Sequence, residues 1–189
     1  TTDIIPIDLN CLLWHLETTL ETASRKSNRD DAAERMAQVA GKRRLSILRY
    51  CWDETDGFFF DYNFKKQQRT NHRTLAAMFP LFFKIATQEQ ADSVTEIIRH
   101  DFLKPGGLTT TLLDTGQQWD APNGWAPLQW IAYVGLKNYG HHHLADEVRT
   151  RWMGTIRSVY EKTGKMTEKY NVFNESTQAG GGEYENQDG

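Results

Sequence analysis

The sequence predicts an all-α fold, and two observations lead to that prediction. Apolar residues recur at the three- and four-residue spacing of amphipathic helices over most of the chain, and the segments with this spacing come in pairs joined by short turns. Hydrophobic residues make up 39% of the 189 residues, which is enough for the core of one domain.

The first predicted pair of helices spans residues 9–27 and 30–52. Helical spacing in the first member rests on five leucines, which are Leu9, Leu12, Leu13, Leu16 and Leu20. For the second member, Asn28 or Asp30 is suited to cap the N-terminus, because short polar side chains accept hydrogen bonds from the free N–H groups there.

Aromatic residues and a turn follow this pair. Asp56 and Gly57 stand beside three consecutive phenylalanines, a combination that predicts a small β-hairpin. Four further helices are expected, the second of them opened by Thr87 and Gln90. They span Leu75 to Ile85, Ala91 to Phe102, Pro127 to Tyr139 and His143 to Tyr160.

Charge and composition argue against several kinds of partner. The net charge of −3 gives no reason to expect nucleic acid or an anionic membrane as a partner.

Cys11 and Cys51 each fall in a predicted helix and are expected to be buried free thiols. The consecutive histidines from His141 to His143 cannot share one helical face, so we expect them to begin a helix and to bind no metal. No cofactor is indicated.

Two segments without helical spacing contain the residue types of a functional site. The first is the loop from Pro105 to Trp130, which combines a glycine pair, glutamines, an aspartate and three tryptophans. The second is the tail from Glu168 to Gly189, in which glutamates flank three glycines. Because tryptophan is costly to leave in water, the first loop is expected to be ordered, and long ordered loops in compact domains are usually functional.

This mixture of residues suits carbohydrate chemistry. Sugar rings stack on tryptophan, their hydroxyls bond to amides and carboxylates, and cleavage of a glycosidic bond requires two carboxyl groups. The residues alone leave open a second interpretation, in which Trp119 and Trp125 only pack the loop against the helices. They also divide the role of catalytic base evenly between Glu168 and Glu183.

The segment GQQWDAPNGWAPLQW, residues 116–130, resembles the second signature of the α,α-trehalases, glycoside hydrolase family 37. That signature reads Gln-Trp-Asp-x-Pro-x-Gly-Trp-Ala-Pro, and every fixed position is present from Gln118 to Pro127. Shorter matches at TTDIIPIDLNCLL, PGGL, EKY and GGGEY extend the resemblance over the whole chain. The resemblance implies that the paired helices form part of an (α/α)6 barrel and that trehalose is hydrolysed with inversion.

Two departures from the family pattern imply that residues 1–189 form the C-terminal part of a single catalytic domain. The family's first signature, which contains the aspartic acid that acts as general acid, does not occur in this sequence, and the family continues past the final Gln-Asp-Gly. The acid is therefore expected on a segment outside these residues. The alternative is a non-catalytic carbohydrate-binding or helical interaction module derived from a six-hairpin glycosidase.

The resemblance also implies roles for the two glutamates. Glu168, in Thr-Glu-Lys-Tyr, matches the general base of the family, and Glu183, after the three glycines, matches a residue that binds sugar hydroxyls. For Glu168 the alternative is a solvated loop carboxylate beside Lys169.

Four residues of the signature are expected to bind the substrate. Trp119 and Trp125 would form a wall of the sugar subsite, while Gln118 and Asp120 would form hydrogen bonds with the sugar. Asp120 is equally suited to cap the helix that begins near Ala126.

The resemblance extends to compartment and partner. The first and last segments look closer to bacterial cytoplasmic trehalases than to periplasmic ones, so the cytoplasm is the expected compartment and the periplasm the alternative. Trehalose is the expected small-molecule partner, and the protein is expected to be a monomer.

Overall fold

Helices dominate the computed structural model, which describes residues 2–174. The α-helices of this part of the chain are α1 (Ile7–Lys26), α2 (Asp30–Tyr50), α3 (Phe79–Phe82), α4 (Gln88–Ile97), α5 (Ala126–Asn138) and α6 (His142–Thr163). A 3₁₀ turn, Leu75–Met78, leads into α3, and a π-helical turn, Ile98–Phe102, follows α4. The prediction of an all-α fold is confirmed.

Short antiparallel strands connect the helices. They are β1 (Ile4–Ile5), β2 (Trp52–Asp53), β3 (Phe58–Phe59), β4 (Tyr62–Asn63), β5 (Gln68–Arg69), β6 (Leu103–Lys104), β7 (Gly107–Leu108), β8 (Asn123–Trp125) and β9 (Lys169–Asn171). Strand β4 pairs with both β1 and β5, and the remaining pairs are β2 with β3, β6 with β7, and β8 with β9. The β2–β3 pair is the hairpin predicted around Asp56 and Gly57.

The odd-numbered helices form one layer of the fold. Helix α1 packs against α2 and α3, α3 packs against α5, and α5 packs against α6. The main apolar core lies between these helices and the β2–β3 hairpin, and it includes Phe58, Met78 and Leu136. Loops that precede the odd-numbered helices lie together at one end of the layer, as the pairing of β1 with β4 and the bridge between Thr74 and Thr111 show.

The contact between α1 and α2 depends on small residues and one ion pair. Ala33, Ala40 and Ile47, spaced by seven residues, are the buried side chains of α2. Arg43 of α2 donates three hydrogen bonds to the partly buried carboxylate of Glu17 on α1, the shortest at 2.7 Å. Partial burial strengthens such a bidentate pair relative to an exposed one.

The leucines that predicted α1 do not form its buried face. Leu9, Leu12, Leu16 and Leu20 are each about half exposed in the described part of the chain, whereas Ile7 and Cys11 are buried. The leucine spacing therefore predicted the helix correctly, although most of these leucines lie on a face that is exposed to solvent in the described part of the chain.

Two local predictions are wrong. The helix expected from Leu75 to Ile85 is a 3₁₀ turn followed by one α-helical turn, because Pro80 has no N–H to donate and Lys84 adopts a left-handed backbone with φ of 56°. Neither Asn28 nor Asp30 caps α2. Asn28 itself takes a left-handed φ of 54° and Asp30 is already the first helical residue.

Other local predictions are confirmed. Thr87 and Gln90 form a reciprocal capping box at the start of α4. Cys11 and Cys51 are buried free thiols, although Cys51 lies just beyond the end of α2. Burial raises the pKa of the Cys51 thiol to about 12, so the thiol stays neutral at ordinary pH. Within residues 2–174 none of the helices has the length and apolar character that a membrane span requires.

Candidate active site

The β8–β9 ladder joins the tryptophan-rich loop to the segment that contains Glu168. Trp125 pairs with Lys169, Gly124 with Tyr170, and Asn123 with Asn171. Strand β9 lies in the tail, where the sequence showed no periodicity. The ladder brings together residues that are far apart in the sequence and places Glu168 at its edge.

Close backbone packing fixes the position of this ladder. The Val172 N–H donates to Pro122 O at 2.9 Å, and Val172 O accepts from the Gly106 N–H at 2.8 Å. A Cβ atom on Gly124 would lie 2.6 Å from Val172 Cγ1 and 2.8 Å from Leu108 O. The fixed glycine of the signature is therefore required by close approach of three backbone segments.

Gln129 holds the neighbouring hairpin and was missed in the sequence. Its side-chain amide accepts from the Leu108 N–H at 2.9 Å and donates to Leu108 O at 2.7 Å. The side chain is buried, and it replaces the strand neighbour that the edge of β7 would otherwise lack. A glutamine on a predicted helix looks like a surface residue, so no sequence signal marked it.

Trp119 and Trp125 form a parallel stack with ring centroids 3.9 Å apart and an interplanar angle of 3°. Trp125 is only 7% exposed, whereas Trp119 is 48% exposed. The indole N–H of Trp125 donates to Gln118 O at 3.1 Å. The exposed aromatic surface of the stack is thus that of Trp119, and Trp125 supports it from beneath.

Gln118 is fixed at both its backbone and its side chain. Its carbonyl also accepts from the Asn123 side-chain amide at 3.0 Å, and its side-chain oxygen Oε1 lies 3.4 Å from Lys169 Nζ. The amide of Gln118 therefore has a defined orientation next to the tryptophan stack.

Glu168 forms an ion pair with a buried lysine. Its Oε1 lies 3.2 Å from Lys169 Nζ, and the glutamate side chain is 30% exposed while the lysine side chain is only 1% exposed. The ammonium also lies 5.6 Å from the centroid of the Trp125 ring. The lysine of this pair is therefore buried, while the side chain of Glu168 remains partly exposed.

Asp120 is occupied by contacts within its own loop. One carboxylate oxygen accepts from the Thr111 hydroxyl at 3.0 Å and the other accepts from the Thr115 hydroxyl. Its carbonyl accepts from the Asn123 N–H at 3.0 Å. The alternative role as a helix cap is wrong, since Trp125 occupies the N-cap position of α5 and Asp120 lies five residues earlier.

Asp120 also lines a polar cleft of about 680 Å³. Among the residues that line it are Asp61, Arg69, His72 and Thr111. Glu168 and Trp119 lie outside this cleft.

Within residues 2–174 no group of three His, Cys, Asp or Glu side chains is arranged to hold a metal ion. Glu183, the remaining candidate site residue, lies outside the described residues.

Comparison with known proteins gives one consistent family. The trehalase family profile matches residues 1–189. The periplasmic trehalase of Citrobacter koseri is 42% identical over 189 residues, which are 100% of this chain and 33% of that protein. The periplasmic trehalase of Escherichia coli O17:K52:H18 is 40% identical over the same length and is covered to 34%. The chain thus spans about one third of the length of these curated relatives.

Solved structures show the same fold. Neutral trehalase from Saccharomyces cerevisiae superimposes with a TM-score of 0.81 over 90% of this chain and 34% of that chain, at 29% identity. The GH63 mannosylglycerate hydrolase from Thermus thermophilus gives a TM-score of 0.74 over 94% of this chain and 44% of that chain, at 18% identity, which shows likeness of fold alone. These matches confirm the expected part of an (α/α)6 barrel.

The comparisons overturn the expectation about compartment. The curated relatives at 40–42% identity are named periplasmic trehalases, which contradicts the cytoplasmic location inferred from the first and last segments. The full-length profile match and the identity over all 189 residues agree, and the chain belongs to the trehalase family.

Proposed function

We propose that this chain is the C-terminal part of a trehalase catalytic domain that hydrolyses α,α-trehalose to two glucose molecules with inversion. Family membership and 42% identity over the whole chain support the substrate. The observation that carries the proposal is the β8–β9 ladder, in which Lys169 contacts the Glu168 carboxylate, Gln118 and the Trp125 ring of the tryptophan stack.

Glu168 acts as the general base in this proposal. Its carboxylate takes a proton from water while the water oxygen bonds to one anomeric carbon, on the face opposite the departing glucose. The glycosidic C–O bond breaks with its electron pair going to the departing oxygen. That oxygen receives a proton from a general acid on a segment outside residues 1–189.

The tryptophan stack and Gln118 form part of the sugar subsite. The exposed ring of Trp119 offers an apolar face for the C–H groups of a glucose ring, and Trp125 fixes its plane. Gln118 offers its amide to sugar hydroxyls. Glu183 is proposed to bind further hydroxyls, and Asp120 to contribute mainly by holding the loop through Thr111 and Thr115.

The stereochemistry of the products tests this mechanism. Inversion at one anomeric centre releases one β-glucose, and the departing half is released as α-glucose. Proton NMR of the intact enzyme with trehalose, recorded before the anomers equilibrate, is expected to show both in equal amounts. Early product that is entirely α-glucose would exclude the inverting mechanism, and absence of hydrolysis would favour the non-catalytic binding module.

A further inference from the structure

Lys169 is a fully buried cation at the edge of the proposed active site. Its side chain is 1% exposed, and its ammonium nitrogen lies 3.2 Å from Glu168 Oε1 and 3.4 Å from Gln118 Oε1. The same nitrogen lies 5.6 Å from the Trp125 ring centroid. A carboxylate, an amide oxygen and an aromatic face all attract a cation, so the surroundings are those of a charged ammonium.

Packing gives no reason for a lysine at this position. Burying an ammonium is costly unless a counter-charge accompanies it, and an apolar side chain of similar volume often serves stability as well or better. The next residues of the strand, Tyr170 and Val172, pack in a small apolar cluster with Trp152 and Val159. A buried charge that stability does not require, next to a candidate base, indicates a functional role.

We propose that Lys169 is a positioning residue for the general base, and that its buried ammonium fixes the orientation of the Glu168 carboxylate. This inference rests on the proposed function of Glu168. The ammonium binds Oε1, so the other oxygen, Oε2, is the one that receives the proton from water. Lys169 keeps its own proton throughout the reaction.

The same ammonium connects the base to the sugar subsite. Gln118 and Trp125 both contact Lys169 Nζ, and Trp125 supports the ring of Trp119. The position of the Glu168 carboxylate relative to Gln118 and Trp125 therefore depends on the Lys169 ammonium.

Strand β9, which follows Glu168, packs against β8 and α6 within residues 2–174. Strand β8 presents Trp125, and α6 presents the apolar Trp152 and Val159 to strand β9. The carboxylate of Asp120 is bound by two threonine hydroxyls, and the Tyr170 hydroxyl accepts from the Thr167 N–H. In this part of the chain the ion pair of Glu168 is with Lys169.

Replacing Lys169 with methionine in the intact enzyme tests the proposal. Lys169→Met keeps the approximate length of the side chain and removes its ammonium, so thermal stability and KM should change little. Because a misoriented carboxylate removes a proton from water less efficiently, kcat should fall about tenfold or more. A fall in kcat without a matching change in KM or in the melting temperature is a result that a merely structural role would not produce.

Three further variants complete the test. Lys169→Arg keeps a cation that can bind the Glu168 carboxylate, so it should lose less kcat than Lys169→Met does. Lys137→Met, the control, removes an exposed ammonium from α5 and should leave kcat and KM unchanged. If Lys169→Met does not fold, Lys169→Gln supplies a neutral side chain and the same fall in kcat is expected.

The outcomes distinguish this inference from the proposed function. If Glu168→Gln retains activity, the base is misassigned and both proposals fail. If Glu168→Gln is inactive and the neutral variants at Lys169 keep kcat, or lose kcat and thermal stability together, the base stands and Lys169 has only a structural role. A fall in kcat in Lys169→Met that is smaller in Lys169→Arg, at unchanged KM and melting temperature, supports the inference.

Discussion

The loop end of the molecule, residues 103–125 and 164–174, keeps many of its polar groups inside, whereas the helical layer of α1, α3 and α5 keeps most of its polar groups outside. Five of the nine buried polar residues in the described part of the chain lie in the loop end, namely Thr109, Thr110, Asn123, Lys169 and Asn171. A sixth, Gln129, lies in the first turn of α5 and bonds to Leu108 in the loop end. The helical layer buries mainly apolar side chains, such as Ile7, Leu81 and Leu136.

This difference shows that the stability of the fold and the proposed catalysis depend on different regions of the molecule. Buried polar groups are expensive unless each has a partner, and the partners in the loop end give its side chains fixed orientations. A carboxylate that removes a proton from water needs such an orientation. The helical layer supplies the apolar burial that offsets the cost, and it contains none of the proposed site residues of the described chain.

The largest effect is expected from removing the basicity of Glu168 in the loop end. In the intact enzyme Glu168→Gln should lower kcat by about 10²–10⁴-fold, because the amide keeps the size of the side chain and cannot take a proton from water. Sugar binding and thermal stability should change little. Steady-state kinetics with trehalose and a thermal melt measure both quantities.

A second glutamate on the same part of the chain provides the control for this experiment. Glu161 lies exposed on α6 and pairs with Arg157 at 3.4 Å. Glu161→Gln makes the same chemical change at a solvated site, so it should alter kcat by less than about twofold. A loss below tenfold in Glu168→Gln would assign the base to another residue.

The second effect concerns the helical layer and should appear in stability alone. Leu136 is fully buried in the main core, so Leu136→Ala should lower the free energy of unfolding by about 2–5 kcal/mol. The folded fraction should keep its kcat, since Leu136 lies on α5 away from Glu168 and the tryptophan stack. Urea unfolding measures the free energy of unfolding, and kinetics normalised to the concentration of folded enzyme measure kcat.

Leu45 offers the matched exposed leucine, at 66% relative exposure on α2. Leu45→Ala should change the free energy of unfolding by about 0.5 kcal/mol or less. If Leu136→Ala instead lowered kcat of the folded enzyme as strongly as Glu168→Gln, the proposal that stability and catalysis depend on different regions would be wrong.

The two regions also differ in how far the sequence predicts them. Helical spacing located five of the six helices to within about three residues, when the π-helical turn Ile98–Phe102 is counted with α4, because an amphipathic helix repeats its apolar positions regularly. It failed between Leu75 and Ile85, where Pro80 interrupts the backbone hydrogen bonds that a regular helix needs.

In the loop end the residues were found through the motif and not through periodicity. The signature identified Gln118, Trp119, Asp120 and Trp125, and the Glu-Lys-Tyr match identified Glu168. The contacts between them depend on strand β9, which is three residues long and too short to show a pattern. Burial of Lys169 was not predictable either, since lysine is almost always exposed and only its tertiary neighbours reverse that preference.

The smallest expected effect concerns Asp61, a loop carboxylate that joins the two kinds of structure. Its Oδ1 accepts from the N–H of Ile7, the first residue of α1, at 2.9 Å. Asp61→Ala removes the acceptor from a buried N–H group and should lower the free energy of unfolding by about 1–3 kcal/mol. Asp61→Asn keeps an acceptor oxygen, so it should cost less than about 1 kcal/mol. Equal losses in the two variants would show that the acceptor does not matter.

The pH dependence of the Asp61→Asn variant sharpens this prediction. Burial raises the pKa of the Asp61 carboxyl, and the nearby Asp8 raises it further against the opposing effect of the Ile7 N–H. The folded state therefore binds a proton more readily than the unfolded state, and the stability that Asp61 contributes is fully present at low pH and declines as pH rises through its raised folded-state pKa. Asparagine does not titrate, so the stability of Asp61→Asn relative to the unmutated enzyme should improve across a pH series from about 3 to 7. Urea midpoints over that series, with the exposed Asp114→Asn as the flat control, measure the effect. A relative stability that falls as pH rises would show that the folded state favours the ionised carboxylate of Asp61.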